Sequence, residues 1–190
     1  MSENIEKSSS QWENEVKQLQ DRVKVLESKM DKVELLLSDF YRYEKLHDFL
    51  EAGDFKAADQ ATIDLILEIA QQQDRDEFTP DHMLNFPCSP LRVIDKLWKT
   101  YSNGRFGFSQ QKEIFLSVGG QNDITEIDLT VLHRLGEAVG WRVNGKWLTA
   151  EEFDFSIDAP VGSLPGSWLR TPFGAKMVIY SFARLIDCHV

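Results

Sequence analysis

Tyr101–Phe115, YSNGRFGFSQQKEIF, sets four aromatic residues, two glycines and two cations around a turn built on Asn103-Gly104. Asparagine and glycine both accept a left-handed backbone, so this pair can reverse the chain where bulkier residues would strain it. Upstream, Leu91, Ile94, Leu97, Trp98 and Tyr101 fall three, three, one and three residues apart, which is one face of a helix started by Ser89-Pro90. Downstream, Ser109 can cap a helix that reaches about Val118, where Gly119-Gly120 stops it. The stretch therefore reads as the joint between two helices. Tyr101, Asn103, Gly104, Phe106 and Phe108 form its structural motif, with Phe106 and Phe108 plugging the space beneath.

Working outward, the same signals recur. Tyr41 to Leu50 reads as helix, Gly53 suits the residue just past its end, and Asp54 suits the cap of the next helix, which carries Ala57, Ala58, Ala61, Ile63, Leu65 and Ile66. Two helices around a short glycine turn make an αα-hairpin, and no second copy of it recurs at a fixed period. Thr79-Pro80-Asp81 opens a short helix that must end before Phe86-Pro87. Leu129 to Val139 is helical. Trp141 to Leu148 is a small hairpin about Asn144-Gly145. Thr149 to Glu152 opens a helical turn, Phe153, Phe155 and Ile157 alternate as in an extended segment, and Phe173 to Cys188 closes the chain as helix. The expected fold is mainly α, a compact multi-helix domain over residues 41–190 with one hairpin.

Residues 11–40 have a different grammar. Trp12, Val16, Leu19, Val23, Leu26, Met30, Val33, Leu37 and Phe40 are spaced alternately four and three apart, the heptad of a coiled coil. Valine at two a positions and leucine at two d positions favour a parallel pair, and Arg22 and Lys29 at g would face Glu27 and Glu34 at e of a second strand. A homodimer through residues 12–40 is expected. Residues 1–10 are polar and are expected to be disordered, with Ser8-Ser9-Ser10 a possible helix start.

Composition narrows the function. A net charge of −10 disfavours nucleic acid, whose phosphates require a basic face. No apolar run approaches a membrane span and the N-terminus lacks a signal sequence, so a soluble intracellular protein is expected. Cys88 and Cys188 could pair, but in that setting they are read as reduced thiols. There is no phosphate loop, nucleophile elbow or Cys-x-x-Cys, and His47, His82, His133 and His189 show no metal-ligand spacing or convincing axial ligand for haem. No catalytic residue, metal ligand or required cofactor is assigned.

Gly162 to Pro172, GSLPGSWLRTP, is the most suggestive candidate site. It reads as an exposed loop that nevertheless carries Leu164, Trp168, Leu169 and Arg170. A ligand with a broad apolar face and acidic edges would suit it, and so would a loop pinned to the core by Trp168.

Several segments together resemble a known family. Leu50-Glu51-Ala52-Gly53-Asp54-Phe55-Lys56-Ala57-Ala58-Asp59, Asn85-Phe86-Pro87-Cys88, Ile94-Asp95-Lys96-Leu97-Trp98, Tyr101 to Ser109, Gly140-Trp141-Arg142, Asp158-Ala159-Pro160, Gly162 and Leu164-Pro165 occur collinearly. In these, the chain from Tyr43 to Cys188 resembles the Genomes-Uncoupled-four domain, a porphyrin-binding regulator of chlorophyll synthesis in cyanobacteria and plastids. The resemblance implies a cupped α-helical fold, no enzymatic activity, a porphyrin, magnesium porphyrin or bilin as ligand, and a magnesium chelatase subunit as partner. It implies a cytoplasmic or plastid-stromal location. By position it implies an apolar wall at Phe78, Pro80 and Met83, and a mobile loop from Leu164 to Thr171 with Arg170 for a propionate; Leu164 and Trp168 on that loop are then expected to bury against the porphyrin face. Ser163 stands where the family often has histidine. A coiled-coil scaffold or adaptor, whose helical domain binds protein and no pigment, is the alternative reading.

Overall fold

The structure is a computed structural model that describes residues 2–122 and 128–190, leaving aside the side chains of 2–11, 13, 14 and 31–40. Contacts divide the chain into two units, Met1–Arg42 and Tyr43–Val190. The fold is mainly α, with one small two-stranded antiparallel hairpin. No described helix is long and apolar enough to cross a membrane.

The first unit belongs to helix α1 (Ser2–Glu51). The heptad side chains from Trp12 to Met30 are exposed along it, Trp12 at 65% and Met30 at 72%. Val33, Leu37 and Phe40 lie outside the described side chains. The expected disordered tail is instead helix from Ser2, ahead of the serine run. Residues 2–10 contain no glycine or proline, so nothing in them opposes propagation of a nucleated helix.

In the second unit, the last turns of α1 are followed by α2 (Phe55–Ile69), α3 (Pro80–Leu84), α4 (Cys88–Tyr101), α5 (Phe108–Ser117) and α6 (Leu129–Ala138). Strands β1 (Arg142–Val143) and β2 (Lys146–Trp147) come next, then α7 (Ala175–Asp187), with 3-10 turns at Ala150–Glu152 and Ser167–Leu169. Local chemistry explains the boundaries. Asp54 caps α2, its carboxylate accepting from Ala57 N–H at 3.0 Å. Thr79 caps α3, and His82 completes the box by accepting from Thr79 N–H through Nδ1. Asn144 and Gly145 both have positive φ, 50° and 79°, the geometry of the tight hairpin turn, and they pair Arg142 with Trp147.

The stretch at 101–115 is an interior frame. Asn103 and Gly104 turn at φ of 51° and 77°. Phe106 and Phe108 are fully buried, which contributes about 1.5–3 kcal/mol each. Phe106 packs edge-on against Phe55 and Trp98, while Phe108 lies 4.7 Å from Trp168. Ser109 is not the cap of α5. Gly107 takes that position at φ 123°, where a Cβ would meet Asp95 Oδ1 at 2.8 Å. The Ser109 N–H instead donates to that same Asp95 oxygen at 2.7 Å.

Two further expectations are corrected. Cys88 and Cys188 are joined in a disulfide, with Cα atoms 5.1 Å apart and a sequence separation of 100. The reading as thiols rested on compartment and took no account of the fold, which brings the start of α4 beside the end of α7. The extended segment over Phe153, Phe155 and Ile157 is shorter than expected: Phe153 is extended, at φ −68° and ψ 143°, but Ile157 lies in a turn, and no strand pairs with the segment among the described residues.

Candidate functional site

A cavity of about 470 Å³ opens in the second unit, within the usual range for small-molecule sites. Leu129, Leu132, His133 and Leu135 of α6 form one wall. Trp141 and Trp147, at the base and the second strand of the hairpin, form another, and Phe153, Leu169, Arg170, Pro172, Ala175 and Val178 complete it. Most of this surface is hydrocarbon or aromatic.

Two glycines let the walls approach one another. A Cβ on Gly136 would sit 2.5 Å from Trp147 Cζ3, so only glycine lets that indole rest on α6. A Cβ on Gly166 would meet Phe153 at 2.5 Å and Trp141 Nε1 at 2.9 Å, so the late loop can pass directly behind the aromatic wall.

The loop from Gly162 to Leu169 is buried throughout, which corrects its reading as exposed. Its backbone polar groups are answered from distant elements. Leu164 C=O accepts from Gly107 N–H, Ser163 C=O from Trp141 Nε1–H at 2.7 Å, and Pro165 C=O from Gln111 Nε2–H at 2.6 Å. The Asp59 carboxylate accepts from Gly166 N–H and Ser167 N–H. Arg105 holds the approach to the loop by donating to the carbonyls of Ile157 and Ala159, each at 2.8 Å. Apolar residues sit on this glycine- and proline-rich loop because the loop is part of the core.

This burial redistributes the expected site. Phe78, Pro80, Met83, Leu164 and Trp168 are buried and do not line the cavity, whereas Arg170 does. Phe78 stacks near His82 and meets Phe86 edge-on, within the core. Arg170 is half-buried. It donates to Leu148 C=O, its guanidinium carbon stands 4.6 Å over the Phe153 ring, and its Nε–H is buried without a partner. Burial draws its pKa below the usual guanidinium value, with Glu151 and Glu152 opposing. A partly dehydrated cation with an unused donor at the edge of an apolar cavity suits a carboxylate on a flat apolar ligand. By this measure the residues present fit a tetrapyrrole bearing acidic side chains.

Sequence reasoning missed His133, Leu129, Leu132 and Val178 as lining residues. The spacing of Leu129, Leu132 and His133, at i, i+3 and i+4, places them on one helix face and was the available signal. Among the described residues, one histidine-carboxylate group gathers elsewhere, at His47, Asp48 and Glu51. Its ring nitrogens are already engaged, Nδ1 with Asp48 at 3.1 Å and Nε2 with the Tyr101 hydroxyl at 2.8 Å.

The GUN4-like family model matches residues 38–178, most of the chain. The chain belongs to the GUN4-like family. Its relatives include the Ycf53-like protein of Synechocystis sp., 31% identical over 128 residues, and the uncharacterized protein ycf53 of Cyanidium caldarium, 33% identical over 130 residues. Each match covers 65% of this chain and 50% of the relative, so the chain spans about half the length of the curated relatives it matches. The GUN4-like fold here is similar to GUN4 from Chlamydomonas reinhardtii, with a TM-score of 0.57 and 28% identity over 74% of this chain and 85% of that one. It also matches the fold of ligand-free Arabidopsis thaliana GUN4, with a TM-score of 0.59 and 24% identity over 74% of this chain and 94% of that one.

Proposed function

We propose that this GUN4-like chain is a non-enzymatic tetrapyrrole-binding protein that regulates chlorophyll or tetrapyrrole synthesis. The ligand is a porphyrin, magnesium porphyrin or bilin seated in the cavity between α6, the hairpin and α7. The observation that carries this reading is the pairing of an aromatic, apolar cavity with one partly dehydrated guanidinium whose Nε–H has no partner. The ring system would bury against Leu132, Trp141, Trp147 and Leu169, and Arg170 would turn from the Leu148 carbonyl toward a propionate.

The exposed heptad seam supports a parallel homodimer through residues 12–40. A magnesium chelatase subunit is the proposed protein partner, in the cyanobacterial cytoplasm or plastid stroma. The seam also favours the second reading, a coiled-coil scaffold or adaptor whose helical domain takes no pigment. Titration with deuteroporphyrin separates the two. Trp141 and Trp147 wall the cavity, so saturable quenching of tryptophan emission is expected. Its absence into the tens of micromolar leaves the scaffold reading.

A further inference from the structure

We propose that His133 supplies an axial nitrogen to the central metal of a tetrapyrrole held in this cavity, which makes the site selective for metal-bearing over metal-free rings. The inference rests on the tetrapyrrole reading and adds to it the residue that would discriminate among such ligands.

His133 lines the cavity from the same face of α6 as Leu129 and Leu132. Its ring meets Trp147 at a centroid distance of 6.1 Å, tilted by 56°. Beyond that contact it makes no hydrogen bond or ion pair among the described residues. The contrast with the histidines of known partners is informative. Both ring nitrogens of His47 are engaged, by Asp48 and Tyr101, and His82 accepts from Thr79 N–H through Nδ1. Among the described residues the His133 imidazole thus offers a lone pair that no protein group claims, on a mostly apolar wall.

A metal held in the plane of four pyrrole nitrogens keeps open positions above and below that plane. Imidazole is a good donor to zinc and iron. Among the described residues the rest of the lining presents no carboxylate or thiolate: it is aliphatic, aromatic, proline and glycine apart from Thr171 and Arg170, and Arg170 is a donor only. Trp147 can hold the imidazole edge in place, a role its seat on Gly136 makes possible. With Arg170 directed to a ring carboxylate and His133 to the metal, the two polar groups recognise the periphery and the centre of one ligand.

The test compares zinc deuteroporphyrin with metal-free deuteroporphyrin on the full chain, reading the Soret band and tryptophan quenching. Wild type is expected to shift the zinc Soret band to the red and to bind the zinc form about tenfold more tightly, equivalent to about 1.4 kcal/mol. His133→Ala should abolish both the shift and the preference. His133→Phe, which keeps an aromatic ring against Trp147 but removes the nitrogen, should behave as the alanine variant does. If metal-free deuteroporphyrin binds and the zinc Soret position and affinity ratio are the same in wild type and both variants, the axial role is overturned and the tetrapyrrole reading stands. If neither the zinc nor the metal-free form binds wild type, the tetrapyrrole reading falls, and the axial role with it.

Discussion

The Asp59 carboxylate accepts a hydrogen bond from Gly166 N–H at 2.7 Å, across 107 residues of sequence. The same oxygen accepts from Ser167 N–H at 3.2 Å. One buried acid on α2 therefore pins the bend of the late loop just before Arg170. Replacing it with alanine strands two buried donors, at about 1–3 kcal/mol each. Asp59→Ala should be strongly destabilised in urea unfolding and should lose porphyrin affinity in parallel.

The same residue makes a signed prediction with pH. Burial raises the Asp59 pKa above its ordinary 3.8, against the lowering effect of the Ser167 and Gly166 donors and of Arg75. The folded chain thus holds that proton more tightly than the unfolded chain. The stability this confers is complete below pH 3.8 and is lost as pH rises through the folded pKa. Stability of wild type relative to Asp59→Asn, which cannot titrate, should fall as the pH is raised from that point. A flat or rising difference across a pH series of urea titrations would refute the assignment.

Arg170 can be tested by changing the ligand as well as the protein. Charge-assisted hydrogen bonds contribute about 1.5–3 kcal/mol. Arg170→Gln should therefore weaken deuteroporphyrin binding by tenfold or more. It should leave the dimethyl ester nearly unaffected, because the ester has no carboxylate to pair. Equal losses for the acid and the ester would show that Arg170 acts by packing on Phe153 alone.

Gly136→Ala opposes two effects. In a helix interior the change ordinarily gains about 1 kcal/mol. Here the new Cβ would overlap the Trp147 indole at 2.5 Å. Trp147 is 43% exposed and can swing outward, so the expected result is no gain in stability, an altered tryptophan emission and weaker porphyrin binding. A stabilised variant with unchanged emission would mean that the indole does not rest on α6.

The heptad seam predicts assembly. Leu19→Lys with Leu26→Lys, in the full chain, places charges at two d positions and should halve the mass seen by light scattering. No change in mass, or a wild type that is already monomeric, would remove the coiled-coil dimer.

Much of the helical plan was legible because its signals are local. Asp54, Thr79 and the Asn144-Gly145 pair each act within a few residues, and the structure puts a cap or a turn at each. The late loop was misread because its partners are remote. Asp59, Gly107, Gln111 and Trp141 satisfy its backbone, and nothing within residues 162–169 reveals that they will arrive. Ser109 was misplaced for a related reason, since the Asp95 oxygen that takes its N–H is 14 residues away. The cavity was half visible. Arg170 was a candidate on its loop, and the hairpin that carries Trp141 and Trp147 was legible from Asn144-Gly145, while Leu129 and His133 looked like ordinary members of an amphipathic helix.

The bond between Cys88 and Cys188 turns the intervening chain into a covalent circle. Every residue that lines the cavity, from Leu129 to Val178, falls on that circle. A protease that nicks it once opens a gap yet releases no fragment, since both new ends remain tethered through sulfur. Only a second cut, or a reductant, can separate α6 from α7. The cavity is thus enclosed by a loop of bonds as well as by packing.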